Sequence, residues 1–206
     1  MLELLRRLIQ DVNDADSLED ALNLIVAQVR AAMRTEVCTI YLHDKASQKL
    51  IFRATEGLNS DKVGQFGLGF DEGLVGWVAT REEPLNLDNA IAHPQFQLVD
   101  GLGEEPFNAF LGAPIIHQRD LLGVLVVQQG DHRRFSEDEE AFLVTVSAQL
   151  AGVIAHAELA GAIGQTVSVT TTGDTAARLS GVAACAGIGI GTAAWISPVA
   201  DLQTVP

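Results

Sequence analysis

Two cysteines in 206 residues, Cys38 and Cys185, are too few and too far apart for a disulfide scaffold or a four-ligand zinc site. They suit a reducing compartment. Basic residues are scarce as well: 13 Lys and Arg stand against 27 Asp and Glu, for a formal net charge of −14. Such a chain repels a phosphate backbone and an anionic lipid surface, so neither nucleic acid nor membrane is expected as a partner. No two of the five histidines stand at i, i+3 or i, i+4, the local signature of a metal pair on a helix, and no metal or other cofactor is expected. The opening "MLELLRRLIQDV" is apolar in a stripe rather than continuously and lacks a small-residue cleavage site. It reads as neither signal peptide nor membrane span, which predicts a cytoplasmic protein.

What is present points to a folded chain. Hydrophobic residues make up 48% and charged residues 19%, and the length suits one well-cored domain with a tail. The acidic runs "DVNDADSLED", "DGLGEE" and "SEDEE" fall in loops and helix starts and read as solvated surface. Leu4, Leu5, Leu8, Ile9 and Val12 recur at helical spacing, predicting an amphipathic helix over residues 2–12. A second helix is expected from Ser17, whose hydroxyl can cap the first turn with Asp20 three residues on. Leu18, Leu22, Ile25, Val29 and Met33 form its apolar face to about Arg34.

From Glu36 the period changes. "EVCTIYLHD" and "LIFRATEGL", joined by the polar "DKASQK", predict a β-hairpin. Its strands carry apolar residues on both faces, Cys38, Ile40 and Leu42 against Val37 and Tyr41, as in a sheet covered by helices on one side and by loops or a ligand on the other. Residues 60–106 are rich in Gly and Pro with one helical run, "GLVGWVATR", and form the best candidate binding segment. "FNAFLGAPIIHQ" and "LLGVLVVQQG" read as another strand pair, with Pro114 at an edge or bulge because it cannot donate to a ladder. A capping box, Ser136 with Glu139, opens a long helix expected over 137–163. Residues 164–180, dominated by Thr, Ser and Gly, read as a linker, and strand-like alternation resumes over 181–206.

Taken in order, "CTIYLHD", "LIFRATEGL", "GFDEGLVGWVATREEPLNLDN", "HPQF", "FLGAPII", "LLGVLVVQQ" and the long helix resemble a GAF domain over residues 1–163. The resemblance implies an α+β fold with a central antiparallel sheet, terminal helices packed on one face and a small-molecule pocket on the other. The tail "GVAACAGIGIGTAAWISP" looks like the opening strand of the phosphotransferase N-terminal domain in enzyme I-type phosphoenolpyruvate-protein phosphotransferases. A GAF domain directly before that strand resembles the nitrogen-related branch of that family. Cys185 and Ala186 stand where that family often has Ser and Pro, and the phosphoacceptor histidine segment and the phosphoenolpyruvate barrel have no counterpart here. This chain alone is therefore not expected to transfer phosphate, and it would meet a phosphocarrier protein only through domains it does not contain.

On this reading Gly69, Gly73 and Gly76 shape the turn into the short helix, and Asp71 and Glu72 are expected to cap it. The ligand candidates are Tyr41, Phe52, Arg53, Phe66, Leu74, Trp77, His93, Phe96 and Phe110. The implied ligand is a nitrogen or carbon metabolite, glutamine or 2-oxoglutarate. The latter would want a basic partner from Arg53, Lys62, Arg81 and Arg119. Cyclic-nucleotide-binding members carry an adjacent Asn-Lys pair and a Phe three residues before Asp-Glu. Asn59 and Lys62 are not adjacent, and four residues separate Phe66 from Asp71, so that pattern is broken twice. Bilin attachment and methionine-sulfoxide reduction rely on placed cysteines, whereas Cys38 on a strand reads as a small core hydrophobe. "AGIGIG" has Thr192 where a dinucleotide loop needs its third glycine. A homodimer is expected, with Leu5, Leu8, Ala148, Gly152 and Ala155 at its interface, and the alternative function is a ligand-free dimerisation module.

Overall fold

The computed structural model describes Arg6, Gln10, Asp11 and residues 15–99, 101–102 and 107–168, with backbone alone beyond Leu159. The expected helix over 2–12, apart from those three residues, and the segment 169–206 lie outside the described residues. So do the interface candidates Leu5 and Leu8.

The first complete helix, α1 (Leu18–Met33), starts where the sequence requires. The Asp20 N–H donates to the Ser17 hydroxyl oxygen at 3.1 Å, and that hydroxyl donates to the Asp20 carboxylate at 2.6 Å. Arg34 closes the helix in the left-handed conformation. Leu22, Ile25, Val26 and Val29 fall on one face and are buried, each contributing about 1.5–3 kcal/mol of apolar burial.

Six antiparallel strands follow: β1 (Val37–Asp44), β2 (Lys49–Glu56), β3 (Gly67–Leu68), β4 (Leu85–Leu87), β5 (Ala109–His117) and β6 (Asp120–Gln129). They form one sheet in the order β3-β2-β1-β6-β5-β4. The two hairpins meet at the centre, where β1 pairs with β6 from Val37↔Gln128 to Leu42↔Gly123. β4 pairs only with Phe110–Gly112 of β5. Pro114 therefore lies beyond the last β4 partner and just before the register shift at Ile115/Ile116, an edge position that tolerates its missing N–H.

Both faces of the sheet are covered. Cys38, Ile40, Ala54, Leu111, Ala113, Ile115, Leu125 and Val127 pack with α1 and with the long helix α3 (Glu137–Ser168). The opposite face carries Tyr41, Phe52, Phe110, Val124 and Val126, beneath the short helix α2 (Gly73–Arg81) and the 60–102 loops. The capping box is formed: the Ser136 N–H donates to the Glu139 carboxylate at 2.8 Å, and the Glu139 N–H donates to the Ser136 hydroxyl at 3.3 Å. α3 runs to Ser168, five residues past its expected end at 163, so residues 164–168 are helical rather than linker. Once a long helix is nucleated, Thr, Ser and Val each oppose continuation by less than about 0.7 kcal/mol. The stretch Glu137–Leu159 has the length and hydropathy of a membrane span. Part of its apolarity, Phe142, Leu143, Val146, Leu150 and Ile154, is buried in the core against the sheet.

Candidate ligand-binding site

α2 presses Leu74, Val75, Val78 and Ala79 onto the sheet, which leaves Trp77, Thr80 and Arg81 on its outer side. Trp77 and Arg81 are one turn apart, and the Arg81 guanidinium sits 5.7 Å from the Trp77 ring centroid. Phe70 and Asp71 from the preceding turn and Gln95 from the following loop complete a surface depression of about 490 Å³ with Trp77, Thr80 and Arg81. The Thr80 hydroxyl donates to the Phe70 carbonyl and fixes the turn against the helix. His93 meets the Trp77 ring edge-on at 6.1 Å, and its Nδ1 accepts the Gln95 N–H at 3.2 Å. The depression thus offers an aromatic floor, one guanidinium, one carboxylate and one amide.

The acidic pair in the glycine turn does not cap α2 as expected. Glu72 occupies the N-cap position without a side-chain capping bond, and its carboxylate instead accepts the Gly69 N–H at 2.8 Å. Gly73 enters the helix at φ +65°, which turns the first helical amides away from the usual capping approach. Asp71 lines the depression.

The nine expected ligand residues separate into four groups. Tyr41, Phe52, Leu74 and Phe110 are buried in the layer beneath α2, with the Tyr41 and Phe52 rings tilted at 5.4 Å. Phe66 and Phe96 pack half-buried against the same layer. Among the described residues, these side chains and Leu102 pack together in the layer under α2, on the face where the GAF resemblance implies a pocket. Arg53 is exposed on β2, away from the depression. Trp77 lies in the depression and His93 at its border. Sequence reasoning named Arg81 only as one of four basic candidates and passed over Phe70, Thr80 and Gln95. The i, i+4 spacing of Trp77 and Arg81 was the signal that could have linked two of the residues.

The depression is tied to the long helix. β4 begins four residues after Arg81, and on it the Asn86 side-chain N–H groups donate to the Phe135 carbonyl and the Glu140 carboxylate, both at 2.9 Å. The Phe135 N–H returns a bond to the Asn86 oxygen at 3.1 Å. Arg133 stacks 4.3 Å from the Phe135 ring centroid and forms a two-pronged pair with Glu139 at 3.0 Å. On the outer side of α3, Ala148 and Gly152 are exposed and Ala155 is half-buried. Val144 and Leu159, 39% and 66% exposed, extend them into one apolar stripe.

Residues 17–154 match the GAF domain family. The phosphoenolpyruvate-dependent phosphotransferase system protein of Escherichia coli (strain K12) is 44% identical over 165 residues, covering 80% of this chain and 22% of that protein. The chain therefore spans about a fifth of the length of the curated relatives it matches. Among solved structures, the GAF domain from a phosphoenolpyruvate-protein phosphotransferase of Coxiella burnetii aligns with a TM-score of 0.75 at 46% identity, covering 78% of this chain and 96% of that one. The corresponding Acinetobacter domain aligns with a TM-score of 0.71, at the same identity and coverage.

Proposed function

This chain belongs to the GAF domain family, and from that premise we propose that it is the regulatory sensing domain of a phosphoenolpyruvate-protein phosphotransferase, taking a small nitrogen or carbon metabolite in the Trp77–Arg81 depression. The similarity to GAF domains of such phosphotransferases supports the parent activity. The observation that carries the sensing reading is that Asp71 and Arg81 line one depression beside Trp77. An α-amino acid matches that pair: its carboxylate meets the guanidinium, its ammonium meets the carboxylate, and its stem lies on the indole. A terminal amide finds Gln95 and Thr80. Glutamine fits this chemistry better than 2-oxoglutarate, which would bring two carboxylates to one guanidinium and set the second against Asp71. Arg53, Lys62 and Arg119, the other cations considered for a dicarboxylate, are not among its lining residues.

A ligand there acts only by favouring one conformation over another. Asn86 supplies a physical route, since it joins the strand after α2 to the start of α3, the element that leads towards residues 169–206. The test is thermal unfolding with glutamine, with 2-oxoglutarate and without ligand. A ligand at about 100 times its Kd adds roughly 2.7 kcal/mol, which moves the midpoint by about 5–10 °C for a chain of this size. Glutamine should produce the shift, and Arg81→Gln or Asp71→Asn should abolish it. A flat response to both compounds in the wild-type chain would remove the sensing reading.

A second reading, a ligand-free dimerisation module, draws on the packed layer under α2 and on the Val144, Ala148, Gly152, Leu159 stripe. Ala148→Glu should convert such a dimer to monomer in sedimentation. A sensor would still bind its metabolite as a monomer, whereas a module of this second kind would lose its regulatory effect with its dimer.

A further inference from the structure

At the far end of the sheet from the α3 cap, the turns of the two hairpins come together. His43, Lys45 and Gln48 from the β1–β2 side and Arg119, Asp120 and Leu121 from the β5–β6 side line a depression of about 270 Å³, with Phe70 as its shared wall with the Trp77 site. We propose that this depression is a second binding site, for a small ligand bearing a carboxylate or phosphate group. It is independent of what the Trp77 site binds.

Three observations converge on it. The first is charge: on a chain of net charge −14 this depression gathers Lys45 and Arg119 against the single carboxylate of Asp120. That carboxylate is only loosely engaged. Its contact with Lys45 is 3.5 Å long, between side chains 59% and 71% exposed, the kind of pair that an incoming anion displaces readily. Asp44, the nearest other acid on β1, is consumed locally by the N–H groups of Ala46 and Ser47 and by the Ser47 hydroxyl.

The second is His43. Its ring lies edge-on to Phe70 at 4.9 Å, and Nδ1 is 3.3 Å from the Leu121 carbonyl. A carbonyl only accepts, so Nδ1 carries the proton. Nε2 is then an acceptor left buried with no hydrogen-bond partner, one that the O–H of a protonated phosphate could satisfy and an ionised carboxylate could not.

The third is backbone conformation. Five described residues other than glycine have positive φ. Arg34 and Glu82 close helices, and the other three, Gln48 (+54°), Gln118 (+48°) and Arg119 (+76°), all belong to these two turns. A two-residue hairpin turn of this type is ordinarily served by Asn-Gly. Placing arginine at the glycine position opposes folding, and among the described residues the Arg119 side chain makes no hydrogen bond or ion pair to offset this. Strain retained at a depression that already collects cations marks a functional position.

The turn geometry also supplies a clean test, because Arg119→Gly removes the charge and relieves the strain together. Amide and ring resonances of the full 206-residue chain would be followed by NMR during titration with succinate and, separately, with inorganic phosphate, at ionic strength held constant with sodium chloride. Saturable shifts are expected at Lys45–Gln48, Arg119–Leu121 and the His43 ring. Saturation with only one of the two probes assigns the group recognised. Arg119→Gly should weaken binding about tenfold or more while the unfolding midpoint stays level or rises. Lys45→Gln should weaken it comparably, and Lys62→Gln, outside the depression, should change nothing. Asp120→Asn, which removes the competing carboxylate, should tighten binding by about two- to fivefold. Arg81→Gln should leave this binding intact, separating it from the Trp77 site. Shifts that grow linearly with both probes, or that persist undiminished in Arg119→Gly and Lys45→Gln, would overturn the proposal.

Discussion

Gly76→Ala and Gly152→Ala are the same chemical change in two helices, yet the structure predicts opposite signs. In a helix with free space, replacing Gly by Ala stabilises by roughly 0.5–1 kcal/mol, because the backbone loses less freedom on folding. A Cβ at Gly152 meets nothing within 4 Å, so that substitution should gain this amount in full. A Cβ at Gly76 would lie 2.6 Å from the Gly69 carbonyl oxygen and 2.9 Å from that of Phe70. Both are backbone atoms in a turn that cannot retreat freely. The Gly69 N–H is held by Glu72, and the Phe70 carbonyl by the Thr80 hydroxyl. Overpacking costs about 1–3 kcal/mol, and contacts this short with backbone atoms place it at about 2–3, which against a helix gain of about 1 leaves a net loss of about 1–2 kcal/mol. Urea unfolding should show a lower midpoint for Gly76→Ala and a higher one for Gly152→Ala, with the slope unchanged in each. In thermal unfolding the shifts would be about 2–8 °C down and about 1–4 °C up. A Gly76→Ala protein as stable as the wild type would refute the close packing of α2 on residues 69–71. The placement of Phe70 and Asp71 beside Trp77 would fall with it.

Asn86→Ala deletes three part-buried hydrogen bonds and strands both backbone groups of Phe135; it should cost about 1–3 kcal/mol. Hydrogen exchange should quicken selectively at the start of α3, and unchanged protection there would argue against the β4–α3 link. Glu139 responds to pH: burial pushes its carboxyl up, but the Ser136 N–H and the Arg133 guanidinium outweigh that and hold it below its ordinary value. A depressed folded-state pKa stabilises above the unfolded value of about 4.3 and is lost as pH falls through the folded one. The stability gap between wild type and Glu139→Gln, which keeps the capping amide, should accordingly be present at neutral pH and close below about pH 4; a gap that persists in acid would contradict the assignment. Burial pushes the Cys38 thiol far up, so iodoacetamide should label Cys38 only when urea is added, as read by peptide mass mapping. Labelling of the native chain at this residue would mean that the β1 core is open.

Elements whose signals act within four residues were legible in the sequence. The Ser17 cap, the Ser136–Glu139 box, the "GLVGWVATR" helix and both hairpins follow from hydrogen bonds and periodicities between near neighbours. Apolar residues on both faces of "CTIYL" likewise announced a sheet covered twice, and the order of these pieces carried the GAF resemblance that the comparisons bear out. One local inference failed on a single residue. Glu72 reads as a cap, but the left-handed Gly73 behind it redirects its carboxylate to Gly69.

The tertiary structure decided everything that depends on strand order. That β4 crosses to pair with β5, rather than following β3, is what brings Asn86 to Phe135 and Glu140 across 49 and 54 residues of chain. No periodicity encodes such a pairing, because it is set by which sheet edge remains free once the two hairpins have joined. The same closure packs Tyr41, Phe52 and Phe110 under α2 and leaves Trp77, Arg81, Asp71 and Gln95 outside. It also carries two turns that are remote in sequence to one depression, with Lys45 and Arg119 on the same rim. Sequence determined the layers and their caps through local bonding and alternation. Which polar groups face one another was left to the long-range pairing of strands, whose register no nearby residue specifies.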